Sequence, residues 1–150
     1  MIIVVTCSHF PDDERIFYRQ INSLLESGLS VTYFTYSNSS IDLSNGLLKH
    51  YNYNKRITLK QYMSNVLSDI SGRTNITHVQ IHDTSLLSIF KRIKSISTNI
   101  STIYDVHEDM ESLYRTFSKR LKPIKETFIS LRLLNEKLKL KYVDHIILAN

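Results

Sequence analysis

The sequence predicts an α/β protein built on a doubly wound parallel sheet, and three observations point that way. Short β-branched runs alternate along the chain with segments whose apolar residues recur at helical spacing. The first run, Ile2 to Thr6, is β-branched throughout, as in a strand covered on both faces. Two later runs, His78 to Asp83 and Ile103 to Asp109, end abruptly in histidine and carboxylates. In an open α/β sheet, ligands bind at the carboxyl ends of such strands.

Each element follows in order. Ile2 to Thr6 opens into the polar loop Cys7 to Asp13, and from about Glu14 the residues Ile16, Phe17, Ile21, Leu24 and Leu25 predict a helix. Gly28 stands where a glycine that terminates a helix belongs. Val31 to Tyr36 reads as the second strand, followed by the Ser/Asn-rich loop Ser37 to Ser40. This closes a βαβ unit, parallel and right-handed by the general rule. Leu47 to Arg56 reads equally as an edge strand or a loop. Leu59, Met63, Val66, Leu67 and Ile70 space out as a helix ending near Gly72. Val79 to Ile81, Thr102 to Val106 and His145 to Leu148 are further strands, with Leu86 to Ile96 helical between the first two. Pro123 suits a helix start, and Leu131, Leu134, Leu138 and Tyr142 continue a long amphipathic helix. The rhythm is that of a Rossmann-like sheet flanked by helices, without internal repeats or low-complexity tracts.

The 150 residues fit one domain, 1–150, with 42% hydrophobic and 22% charged residues as in a packed globular chain. No apolar run approaches the roughly 18 residues of a membrane span, and Met1 to Thr6 lacks the features of a signal peptide. A cytoplasmic location is therefore expected. The single Cys7 has no disulfide partner and reads as a small residue after the first strand. The net charge of +5 is concentrated in Lys119, Arg120, Lys122, Lys125, Arg132, Lys137, Lys139 and Lys141, opposed by Glu126 and Glu136. That segment is either a solvated helix face or a surface for anionic lipid or a phosphate-bearing substrate. No nucleic-acid-binding motif accompanies it, so nucleic acid is not an expected partner.

The loop from Cys7 to Arg15 contains no glycine, which disfavours a dinucleotide or P-loop phosphate site. It offers His9, Asp12, Asp13 and Arg15 instead. Asp12 or Asp13 has two readings, a helix cap or a ligand contact. Asp105, His107 and Asp109 alternate and with His82 sketch a metal site, but no closely spaced histidine pair completes it, and no metal is expected. His107 is the leading candidate for a hydrogen-bonding or electrostatic role in a cleft, the other reading being a buried structural histidine. His50, His78 and His145 lack polar company and read as structural. No Gly-x-Ser-x-Gly elbow signals serine hydrolysis.

The ordered set His9-Phe-Pro-Asp-Asp-Glu-Arg-Ile-Phe17, Leu24-Leu-Glu-Ser-Gly-Leu-Ser-Val31, Ile81-His-Asp83, Ile103-Tyr-Asp-Val-His-Glu-Asp109 and Tyr142-Val-Asp-His-Ile-Ile147 resembles the N-terminal half of family 4 glycosyltransferases. The likeness covers essentially the whole chain. It implies one of the two Rossmann-like domains of a GT-B fold, the acceptor-binding one, in an enzyme that moves a sugar from a nucleotide-sugar donor in polysaccharide or glycoconjugate synthesis. It implies His107 as the catalytic residue near the transferred sugar. His9, Asp12, Asp13, Arg15, His82, Asp83, Asp105 and Glu108 would border substrate, Glu108 with Asp109 having the alternative of organising the following turn. No cofactor is implied, because the nucleotide sugar is itself a substrate.

The usual glycine pair of the first loop is replaced by Pro11 and acidic residues, so phosphate contact by that backbone is not expected. The donor-binding domain is expected to be absent from 1–150 and supplied in cis or trans, and this chain alone is expected to be inactive. The expected partners are a glycan or lipid-linked sugar acceptor, the donor-binding domain, an anionic membrane surface at the inner face, and a second copy through an exposed apolar patch. The competing reading is a noncatalytic module that docks on a membrane or partner protein through the basic helix.

Overall fold

In this computed structural model, residues 1–106 and 122–148 are described. Among the described residues, six parallel strands form one sheet: β1 (Ile2–Val5), β2 (Val31–Tyr36), β3 (Leu48–Tyr53), β4 (His78–Ile81), β5 (Ser101–Val106) and β6 (His145–Leu148). Their spatial order is β3-β2-β1-β4-β5-β6. The chain winds outward from β1 to β3, returns to the other side of β1, and winds outward again to β6. The switch point lies between β1 and β4, where Val5 pairs with Ile81. The segment 47–56, open between strand and loop on sequence, is the edge strand β3, whose register runs from Val31 opposite Leu48 to Tyr36 opposite Tyr53.

Strand alternation divides the core into two layers. Ile3, Val5, Phe34, Val79 and Ile81 face one side and pack with α2 (Leu59–Ser71) and α3 (Ser88–Ile96), the latter preceded by a 3₁₀ turn at Thr84–Leu86. Tyr36 and Tyr62 stack there at 5.1 Å, and Phe34 and Tyr51 at 5.3 Å. The long α4 (Lys122–Leu140) lies on this side, with Leu140, Tyr142 and Val143 against the cluster. On the opposite face Val4, Val31, Tyr33 and Leu48 pack with Ile16 and Ile21. Helices thus cover both faces, as a buried parallel sheet requires.

Local signals set the helix ends. Thr58 and Gln61 form a reciprocal capping box at the start of α2. Gly28 adopts φ 75° just past α1 (Asn22–Glu26), and its N–H bonds the Leu25 carbonyl at 2.9 Å.

One helix departs from expectation. Glu14–Ile21 winds as a π-helix before passing into α1, rather than as an α-helix throughout. Residues five apart then share a face, which α winding at 3.6 residues per turn would not allow. Three such pairs occur. Ile16 and Ile21 are both fully buried, Arg19 bonds Glu14 at 2.6 Å, and Arg15 and Gln20 both reach Asp105.

Candidate functional site

The site grows from the carboxyl edge at the switch point. Register carries Ile81 opposite Tyr104, so His82 falls beside Asp105 on the face covered by the π-helix. Asp105 is fully buried, and its carboxylate is the hub. Arg15 Nη2 donates to Oδ1 at 2.5 Å, Gln20 Nε2 donates to Oδ2 at 2.5 Å, and His82 Nδ1 lies 3.4 Å from Oδ2. Gln80, one alternation before His82, donates from Nε2 to Gln20 Oε1 at 2.7 Å and to His82 Nε2 at 3.3 Å. An amide nitrogen only donates, so His82 Nε2 accepts and the ring proton sits on Nδ1, facing Asp105. Buried polar groups require such pairing, and here a neutral amide pair completes it.

The first loop borders this hub. Asp13 is the N-cap of the π-helix, its Oδ1 accepting from the N–H groups of Arg15 and Ile16, each at 3.0 Å. Its Oδ2 accepts from His9 Nδ1 at 3.2 Å. Burial pushes the Asp13 carboxyl up, but the bond from Ile16 together with His9 and Arg15 outweighs this and holds it below the usual carboxylate range. Asp12 makes no cap. The His9 ring stands edge-on to His82 with centroids 6.5 Å apart.

Asp83 ties the two strand ends together. Its Oδ2 accepts from Thr6 Oγ1 at 2.9 Å and from Cys7 N–H at 2.7 Å. Burial and the neighbouring Asp83 charge push the Cys7 thiol up to about 12, which suppresses the thiolate. Asp144, inside the last quoted motif, accepts at 2.8 Å from the Thr102 N–H and at 2.5 Å from Lys94 Nζ, fixing the entry to β6.

The structure therefore brings together His9, Asp13, Arg15, His82 and Asp105, with Asp12 in the adjacent loop and Asp83 at the seam. His107, Glu108 and Asp109 lie outside the described residues, as do Lys119 and Arg120. Gln20 and Gln80 are the members that sequence reasoning missed. Gln80 alternates with His82 in the same run, which was an available signal, whereas Gln20 is hidden by its spacing of five from Arg15. Among the described residues no cluster of His, Cys, Asp and Glu suits a metal ion, and no helix is long and apolar enough to cross a membrane.

Beside the hub, a cavity of about 860 Å³ opens between the loop after β1 and the loop after β2, with Asp12, Asp13 and His9 in its wall. Of the other histidines, His50 stacks on Tyr33 at 5.3 Å and bonds Thr35 Oγ1 at 2.9 Å, a structural setting, while His78 bonds Thr77 next to it at 2.9 Å.

No family model and no curated protein sequence matches the chain. Solved structures do. Phytolacca americana UGT2, complexed with UDP-2-fluoro-glucose and pterostilbene, aligns over 99% of this chain and 48% of its own, with a TM-score of 0.62 and 10% identity. LpCGTa in complex with UDP aligns over 99% and 45%, with a TM-score of 0.58 and 10% identity. OtsA in its apo form aligns over 97% and 39%, with a TM-score of 0.54 and 12% identity. The chain thus spans less than half of each of these solved chains. At such identities the likeness concerns the fold alone, and the all-parallel sheet flanked by helices matches one Rossmann-like half of the GT-B fold.

Proposed function

We propose that this chain is the acceptor-binding, N-terminal domain of a glycosyltransferase that moves a sugar from a nucleotide-sugar donor during polysaccharide or glycoconjugate assembly. The observation that carries this reading is the convergence of His9, Asp13, Arg15, His82 and Asp105 on the switch-point edge of a GT-B-like half. The order of the sequence motifs favours family 4. In this reading the loop of His9 to Asp13 borders the acceptor, and the Arg15–Asp105–His82 hub holds the strand ends in register. His107, directly after β5, is the group placed near the transferred sugar. The donor nucleotide is held by a second domain, in cis or trans, and transfer requires both halves.

Co-expression with a donor-binding GT-B half, followed by a radiolabelled sugar-transfer assay on glycan and lipid-linked acceptors, tests this. Product is expected only when both halves are present. Transfer by the donor half alone at the same rate would contradict the reading.

A second reading is favoured by one specific observation on α4. Leu131, Leu134 and Leu138 are 61%, 53% and 58% exposed and form one ridge, while Ile129 is buried beneath them. Arg132, Lys137, Lys139 and Lys141 flank the ridge, a composition suited to docking at an anionic membrane surface. This reading keeps the fold and assigns a peripheral, noncatalytic role. Liposome co-sedimentation over a salt series separates the two, because electrostatic attachment weakens as salt rises. The apolar surface of β6, where Ile146 and Leu148 are exposed, is where the donor-binding half or a second copy would sit in the first reading.

A further inference from the structure

The cavity between the loops after β1 and β2 is within the size range of small-molecule sites, roughly 300–1,000 Å³. It adjoins the Asp105 hub through His9, which lines the cavity and meets His82 edge-on. One wall is internally satisfied. Ser37 Oγ donates to Asn52 Oδ1 at 3.1 Å and accepts from the Ser39 N–H at 3.2 Å, while Asn52 Nδ2 bonds the Ser39 carbonyl at 2.5 Å. This network holds the loop after β2 in place. Other groups facing the cavity are not engaged. Among the described residues the Asp12 carboxylate has no hydrogen-bond or ion-pair partner, and Lys55 Nζ meets the face of Tyr36 at 5.8 Å without a carboxylate. Phe10 is 74% exposed, and Ile41 adds a second apolar group.

We propose that this cavity is the subsite for an uncharged pyranoside unit of the acceptor glycan. The proposal rests on the sugar-transfer reading above and names its substrate class. A pyranoside has apolar C–H faces and a rim of hydroxyls. Phe10 and Ile41 suit the faces, and Asp12 suits two neighbouring hydroxyl donors, since a carboxylate accepts at both oxygens. The opposite charges of Asp12 and Lys55 balance, so together they exert no net pull on a uronate or an amino sugar, and the hydroxyl and C–H contacts that a neutral sugar makes decide the occupant. A dinucleotide is disfavoured because the first loop has no glycine and β2 ends at Tyr36 and runs into Ser37, without an acidic residue for ribose hydroxyls.

The test is an amide NMR titration of the full chain with maltose, cellobiose and N,N′-diacetylchitobiose, and with digalacturonate as an anionic probe. At least one neutral disaccharide is expected to shift the amides of residues 8–13 and 37–41. Its affinity is expected to fall about tenfold in Asp12→Asn and in Phe10→Ala, each checked for an unchanged spectrum elsewhere. Tighter binding of digalacturonate overturns the neutral-sugar assignment. Shifts confined to the surroundings of His82 and Asp105 overturn the subsite while leaving the acceptor role standing. If no disaccharide shifts any amide, the subsite is overturned, and the two-half transfer assay decides the wider reading independently.

Discussion

Arg15 donates to Asp105 at 2.5 Å across 90 residues of chain, joining the helix after the first strand to the end of the fifth. The carboxylate is fully buried and the guanidinium is partly exposed. Removing one partner of such a pair leaves a buried charge with too little compensation. Arg15→Ala is therefore expected to lower unfolding stability by about 3 kcal/mol, read by urea denaturation. A loss near zero would show that the partners of Asp105 other than Arg15, Gln20 and His82 among them, suffice to hold its charge.

Gln20 acts on the same carboxylate from one π-turn further along. Gln20→Ala deprives both Asp105 and Gln80 of a partner and is expected to cost about 1–3 kcal/mol. Combined with Arg15→Ala, the loss should differ from the sum of the single losses, because the two residues share one hub. Strict additivity in a double-mutant cycle would contradict the shared arrangement.

Cys7 supplies a pH test. Its thiol has an ordinary value of 9.0 and is raised to about 12, first by burial and then by Asp83. The folded state therefore holds its proton more tightly than the unfolded chain does. The contribution to stability is complete below pH 9 and is lost as pH rises from 9 towards 12. Alkylation by iodoacetamide at pH 8 is expected to be far slower in the native protein than in urea, and faster in Asp83→Asn than in the native protein. Equal rates in the folded and unfolded chain would contradict the buried-thiol geometry.

Asp144 gives the opposite sign. The Lys94 ammonium, followed by the Thr102 N–H, lowers its carboxyl from 3.8 to about 2. The stabilisation it brings is present above pH 3.8 and is lost as pH falls towards 2. Because Asp144 is substantially exposed, solvent screening keeps the effect modest. In Asp144→Asn the dependence of stability on pH across this window should flatten. An unchanged acid profile would show that the contacts of Asp144 to Lys94 and to the Thr102 N–H carry no ionisation-linked energy.

The sequence made the central strands legible because β1, β2, β4 and β5 are compact runs rich in β-branched and aromatic residues. β3 was ambiguous because Lys49 and Asn52 interrupt its apolar character, as suits an edge strand. The π-helix was hidden, since Ile16, Phe17 and Ile21 fit an α pattern well enough while the i, i+5 pairing that organises Arg15 and Gln20 has no place in it. Of the adjacent carboxylates Asp12 and Asp13, sequence left the cap open, and three-dimensional placement assigns it to Asp13. His82 and Asp105 were readable as strand-end polar groups. Their partners Gln20 and Gln80 carry no charge and so gave no electrostatic signal.

The most direct measurement compares sugar transfer by the native chain and by His107→Ala, each reconstituted with a donor-binding half and each matched for melting temperature. If the carboxyl edge beyond β5 faces the transferred sugar, the variant should lose about 100-fold in transfer rate, the scale expected for removing a group that stabilises developing charge. Equal rates in the two proteins would contradict the assignment of this edge to sugar transfer.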